Sequence, residues 1–293
     1  RDLRMSRGLG DVYKRQRLWL DDFAEFMAIK EHFGNQALQK WDDKKVVARD
    51  PKTLEKYRTM LADQIQYFKV TQYFFFKQWS ELKHYANQKG IKIIGDMPIY
   101  VAADSVEVWT KPELFQLDKE RNPLFVAGVP ADQFSATGQL WGNPLYDWEE
   151  HKKQGYTWWI HRIEESFKIY DVLRIDHFKG FSDYWQVDGK ADIAKYGSWQ
   201  PGPGYDLFKV VKEQLGDLPI IAEDLGNIDE KARKLLTDCN YPGMKILQFG
   251  FEDVSGKSLD SPHYCIPHSI VYTGAHDLSL IHISEPTRHA QIS

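Results

Sequence analysis

The chain of 293 residues is 42% hydrophobic and 14% aromatic, which is enough apolar material for a sizeable core. A formal net charge of −4 and an isoelectric point near 6.2 give no basic stripe for nucleic acid, and no run of eighteen apolar residues marks a membrane span. Two cysteines, Cys239 and Cys265, lack metal-site spacing and are too few for a disulfide framework, so a reducing cytoplasm is expected.

Residues 1–16 show no helical or strand period and resemble translated library-adapter sequence, as do residues 278–293. Both segments are set aside as non-native. From Trp19 onward Phe23, Phe26, Met27 and Ile29 recur at helical spacing, with Asp21 and Asp22 suited to the N-terminus and Gly34 to the stop. Asp50-Pro51 opens a second helix, whose pattern through Leu54, Tyr57, Leu61, Ile65, Phe68 and Phe75 runs on to about Lys89 and Gly90. Residues 91–94 then predict a short strand with Asp96 just past its end.

Residues 102–156 carry several prolines and glycines and no long period, so they read as a large excursion from the strand-helix pattern. Its Phe134, Gln139, Trp141, Asn143 and Tyr146 combine rings with amides, a set suited to sugar recognition; a packed surface subdomain is the alternative. Helical spacing resumes over 158–170. Residues 172–181 follow, an apolar strand running into Arg174, Asp176, His177 and Lys179. Residues two apart on a strand share a face, so Arg174 sits beside Asp176 and favours its ionised form. An ionised Asp at a strand end suits a nucleophile, although a structural ion pair inside a barrel would use the same residues. Residues 182–204, with a proline- and glycine-rich end, read as a loop. A helix over 207–215, a strand over 219–222 ending in Glu223-Asp224, and strands over 244–249 and 269–272 complete the pattern, the last leading to His276 and Asp277.

This alternation predicts an α/β fold with a parallel sheet, a (β/α)8 barrel, in which acidic residues at separate strand ends converge on one face. Asp176, Glu223 and Asp277 are then neighbours. A retaining glycoside mechanism needs a nucleophilic carboxylate and an acid/base carboxylic acid about 5–5.5 Å apart, with different pKa values. Arg174 serves the first requirement at Asp176. The apolar lead-in to Glu223 serves the second, and Asp277 suits a third carboxylate that stabilises developing positive charge, with His177 and His276 as hydroxyl partners. Taken singly, each of these carboxylates also suits a helix cap or a loop ion pair. A metal held by His276, Asp277 and Asp176 or Glu223 has no ligand spacing behind it.

Seven ordered stretches, GDMPIYV (95–101), GVP (128–130), FSATGQLWGNPLYDW (134–148), RIDHF (174–178), AEDLG (222–226), PGMKILQF (242–249) and YTGAHD (272–277), resemble the 4-α-glucanotransferases, the amylomaltases or disproportionating enzymes of glycoside hydrolase family 77. The resemblance implies Asp176 as nucleophile, Glu223 as acid/base and Asp277 as transition-state stabiliser. It implies Asp96, Gln139, Trp141, Asn143, Arg174, His177, Phe249 and His276 along the glucan subsites. It further implies no cofactor, α-1,4-glucans and maltooligosaccharides as partners, and transfer of a glucan segment to the 4-hydroxyl of an acceptor. A retaining α-glucan hydrolase and a non-catalytic glucan-binding fragment are the alternatives. On this reading residues 17–277 are a partial barrel truncated at both ends, with 102–156 lining the site, and the stretch alone is expected to fold poorly and be inactive. Ala275 stands where a Thr is more usual in the family.

Overall fold

In the computed structural model the described residues are 19–131, 135–226, 228–252 and 257–275. The chain opens with α1 (Leu20–His32), which has Asp21 and Asp22 in its first turn, Lys30 and His32 in its last, and Gly34 at φ +69° just beyond. A short α2 (Lys44–Val47) is followed by α3 (Pro51–Met60), with Pro51 in its first turn and the Asp50 side chain accepting from the Thr53 N–H at 2.9 Å. The long α4 (Ala62–Gln88) follows. The single helix expected from Asp50 to Lys89 is thus two, broken at Leu61, which leaves helical geometry and turns its side chain into the core.

Strand β1 (Ile94–Pro98) comes next, then α5 (Val106–Thr110), β2 (Phe125–Val129), β3 (Gln139–Pro144), α6 (Trp148–Lys153) and α7 (Thr157–Ile169). The organising strand is β4 (Val172–Asp176), closed by a tight 3-10 turn at Phe178–Phe181. It is followed by β5 (Asp183–Asp188), β6 (Gly197–Pro201), α8 (Tyr205–Leu215), β7 (Ile220–Ala222), α9 (Glu230–Cys239), β8 (Gly243–Ile246), α10 (Leu247–Glu252) and β9 (Ser269–Tyr272).

Strands β1, β4 and β7 form a parallel sheet in that order, and β8 pairs with β9, also parallel. The Ala222 N–H donates to Pro242 O at 3.0 Å, which sets the β8–β9 pair beside β7. With α7, α8 and α9 returning the chain between successive parallel strands, this is the α/β-barrel arrangement, and the strand C-terminal ends share one face. The core between sheet and helices is aromatic. Trp41, Trp109 and Trp159 are wholly buried, the Trp109 indole N–H donates to Val46 O at 2.9 Å, and the Tyr146 hydroxyl donates to Ile99 O at 2.7 Å. No helix among the described residues is long and apolar enough to cross a membrane.

Three further expectations about elements are corrected. Residues 182–204 contain β5 and β6, which pair antiparallel and join β2 and β3 in a four-stranded sheet ordered β3-β2-β5-β6. Gly197 permits this pairing, because a Cβ there would run into the Gln186 carbonyl and the Trp185 ring. The excursion over 102–156 therefore supplies half of a β-sheet and the later insert the other half. Second, β1 begins at Ile94, so Asp96 lies inside the strand. The Asp171 carboxylate accepts the Ile93 N–H at 2.8 Å, and the ladder with β4 starts only beyond it. Third, the strand expected over 244–249 ends at Ile246 and Phe249 lies on α10. That helix is held by a close backbone approach at Gly250, where a Cβ would meet Asp260 O at 2.8 Å.

Candidate active site

Parallel register decides which charges meet. In the β1–β4 ladder Asp96 is level with Arg174 and Pro98 with Asp176; in the β4–β7 ladder Ile175 is level with Ala222. Asp176 and Glu223 are consequently the next residues along two adjacent strands, whose axes run roughly 4.8 Å apart. The Glu223 N–H donates to Ile175 O at 2.9 Å and continues the ladder into the site.

Arg174 is the centre of the charge arrangement. Its Nη1 lies 2.6 and 2.7 Å from the two oxygens of Asp96, its Nη2 lies 2.9 Å from Asp176 Oδ1, and its Nε rests 3.3 Å from Met244 Sδ. The Arg174 side chain is 11% exposed, whereas those of Asp96 and Asp176 are open to solvent at 43% and 41%. Burial opposes the charge on Arg174, but its bonds and attraction to Asp96, with Asp176 and Glu223 beyond, outweigh burial and raise its pKa. The Arg–Asp pairing expected of this strand is present, with Asp96 as a second carboxylate partner.

Glu223 sits in a different environment on the same face. Burial, reinforced by the negative charge of Asp176, pushes its carboxyl up to about 7, against the opposing effects of Arg174 and two backbone donors. Those donors are the N–H groups of His177, 2.8 Å from Oε2, and Leu225, 2.8 Å from Oε1. His177 can aim its N–H this way because it adopts a left-handed backbone conformation at φ 51°, ψ 49°. Burial lowers its imidazole to about 4, with Lys179 adding to the effect, so the ring is neutral near pH 7.

Strand β3 carries Gln139, Trp141 and Asn143, and its pairing with β2 is irregular between Leu140 and Pro144, where Gly142 takes φ +76°. The Trp141 ring meets His177 edge-on at 4.8 Å between centroids, and its indole N–H donates to Gln139 Oε1 at 3.2 Å. Trp141 remains 37% exposed, so part of the ring is open for stacking. Asn143 spends its amide on Val101 O at 2.8 Å, a tie to the chain after β1. Phe249 packs with Ile221, Met244 and Ile246 behind the Arg174 cluster. Phe134, His276 and Asp277 lie outside the described residues. Among the described residues no group of three or more His, Cys, Asp and Glu is placed to hold a metal ion.

The structure adds groups that inspection of the sequence missed, the backbone donors of His177 and Leu225 and the Met244 sulfur under Arg174, and it gives the strand-end Asp224 a partner, since its Oδ1 accepts from the Met244 N–H at 2.6 Å. Backbone donors leave no mark in composition. Gly243 makes room for Asp224, since a Cβ there would lie 2.5 Å from the Asp224 carboxylate.

A family model described as 4-alpha-glucanotransferase matches residues 5–283. The chain belongs to glycoside hydrolase family 77. This 4-α-glucanotransferase-family chain is 54% identical over 259 residues to a 4-alpha-glucanotransferase of Streptococcus pneumoniae, covering 88% of this chain and 51% of that relative. With the 4-alpha-glucanotransferase of Clostridium butyricum it shares 48% over 264 residues, 89% of this chain and 54% of the relative. The solved amylomaltase from Streptococcus agalactiae in complex with acarbose superposes with a TM-score of 0.92 at 60% identity, over 94% of this chain and 55% of that one. The family chain spans about half the length of the curated relatives it matches.

Proposed function

We propose that the protein carrying this chain is a 4-α-glucanotransferase acting on α-1,4-glucans and maltooligosaccharides by retaining double displacement. The observation that carries this reading is the contrast between two neighbouring strand-end carboxyls. Asp176 is bound to a buried guanidinium, and Glu223 is held near 7 by burial. Asp176 attacks the anomeric carbon while Glu223 gives its proton to the departing glycosidic oxygen. Glu223, now a carboxylate, takes the proton of an acceptor 4-hydroxyl, which displaces Asp176 and restores both groups. Asp277 is assigned to stabilise the positive charge at that carbon. Asp96, Gln139, Trp141, Arg174, His177, Phe249 and His276 are assigned to glucan binding, with Asn143 acting through its bond to Val101. Acarbose, bound by the S. agalactiae amylomaltase, is the expected inhibitor. A cytoplasmic location accords with two free cysteines, Cys239 and Cys265.

Maltotriose incubated with the full-length protein is expected to give glucose plus a ladder of longer glucans, lost in Asp176→Asn and Glu223→Gln. Reducing ends that rise without longer products identify a hydrolase instead. Saturable binding with no turnover, unchanged in Asp176→Asn, identifies a binding module.

A further inference from the structure

Outside the groups assigned so far, a part-buried cation stands close to the site. Lys179, in the turn after β4, is 10% exposed, and its ammonium lies 2.7 Å from Asp183 Oδ1, 2.7 Å from Asp229 Oδ2 and 4.6 Å from the centroid of the Trp199 ring. An ammonium group with so little exposed surface calls for partners, and here two carboxylates and a ring face supply them. Asp183 opens β5 and Trp199 belongs to β6, so these contacts fix the turn to the antiparallel sheet. Asp229 reaches elsewhere. Its Oδ1 accepts the Ala232 N–H at 2.9 Å and caps α9, while Oδ2 takes Lys179. Burial alone would raise the Asp229 pKa, yet its bonds to Lys179 and Ala232 hold it at about 2, so the pair is ionised throughout the physiological range.

The two segments fastened by this ion pair are the ones that grip Glu223. The turn after β4 supplies the His177 N–H and the segment after β7 supplies the Leu225 N–H, each 2.8 Å from one Glu223 oxygen. We propose that Lys179 is a positioning residue for the transfer reaction, clamping the β4 and β7 strand ends together so that both backbone donors stay on Glu223. This rests on the reading of Glu223 as acid/base. Lys179 stands two residues from His177 and four from the Asp183 carboxylate, and it acts on Glu223 through the backbone it holds.

The consequence has a sign. Both N–H donors favour the carboxylate form of Glu223, as does Arg174, while burial and Asp176 favour the protonated form. Slackening the donors therefore leaves Glu223 protonated to higher pH, and the alkaline limb of kcat moves upward.

The test compares wild type, Lys179→Met, Lys179→Arg and Asp229→Asn in the full-length protein, with kcat and KM for maltotriose from pH 5 to 9 and Tm for each. In Lys179→Met, kcat is expected to fall up to about a hundredfold with little change in KM. Its alkaline limb is expected to rise by about one pH unit, the scale of one weakened charge-assisted hydrogen bond. Lys179→Arg recovers most of the rate. Asp229→Asn keeps a good helix cap and moves the limb the same way. The two variants change net charge in opposite senses, so a shared direction is inconsistent with a simple field effect. An alkaline limb that stays at its wild-type position in both Lys179→Met and Asp229→Asn, with only Tm lowered, overturns the proposal and leaves a purely structural clasp. Full transfer activity in Glu223→Gln, measured alongside, sinks the acid/base reading itself and the inference with it.

Discussion

Replacing Glu223 by Gln tests the electrostatics of the site without any catalytic assay. The folded carboxyl titrates near 7 instead of 4.5 because burial, with Asp176 adding to it, disfavours its charge. Such a group contributes stability fully present below the unfolded-state pKa and lost as pH rises through the folded one, so the loss runs from about pH 4.5 to pH 7. The shift corresponds to about 3 kcal/mol, of which about 2–3 kcal/mol falls between pH 5 and pH 8. Gln cannot accept both the His177 and Leu225 N–H bonds, which costs Glu223→Gln about 1–3 kcal/mol at every pH. That cost cancels when the variant is compared with wild type at two pH values. The expectation is a variant that gains about 2–3 kcal/mol relative to wild type on going from pH 5 to pH 8, a relative rise in Tm of roughly 6 °C. Denaturant titration and thermal melts at both pH values measure it. A stability difference that is the same at pH 5 and pH 8 would refute the claim that folding holds a proton on Glu223.

Arg174→Lys keeps one charge but cannot hold Asp96 and Asp176 together; transfer is expected to fall about a hundredfold. Stability should drop by about 2 kcal/mol, less than for a fully buried pair because water reaches both carboxylates, and kcat/KM with Tm reads both effects. Gly95→Ala puts a methyl group into the Tyr170 ring and is expected to cost about 1–3 kcal/mol, part of which Tyr170→Leu restores in the double variant, as a thermodynamic cycle would show. His151 is 1% exposed and burial lowers its imidazole to about 4, so the stability it contributes above pH 6.5 is lost as pH falls; His151→Phe should remove about 2 kcal/mol of the loss between pH 7 and pH 5 in acid unfolding curves.

Local signals carried much of the fold into the sequence. The apolar run of β4 with Arg174 and Asp176 two apart, the caps at Asp50 and Gly34, and the helical periods before β1 and β4 depend on neighbours within a few residues, and each is present. What escaped notice depends on distant partners. Strands β5 and β6 look polar and broken by glycine because one sheet face meets solvent and Gly197 is needed for strand approach, so the identity of β5 lies in pairing with β2 across more than fifty residues of chain, and that of β6 in pairing with β5. The Asp96 contact was hidden for the same reason: the register that sets it beside Arg174 belongs to a ladder between segments 78 residues apart. The reading of Glu223 as the raised carboxyl drew on the apolar residues before it, which accounts for the burial, whereas the two N–H donors moderating the shift come from loop geometry.

Register is also what gives two similar carboxyls opposite electrostatics. Arg174 shares a strand face with Asp176 and is level with Asp96, so one guanidinium binds both, and Asp176 faces a full positive charge. Glu223 stands one strand further, where among the described residues its oxygens accept from the His177 and Leu225 N–H groups and the guanidinium acts at longer range. Shifting β1 by one residue would put Gly95 or Met97 level with Arg174, turn Asp96 to the other face and leave Arg174 to Asp176 alone. Sliding β7 by one would move Glu223 off the His177 donor and break the Glu223-to-Ile175 ladder bond. The different surroundings of Asp176 and Glu223 therefore depend on how three parallel strands align, and substitutions that loosen that alignment should disturb the pH profile before they disturb binding.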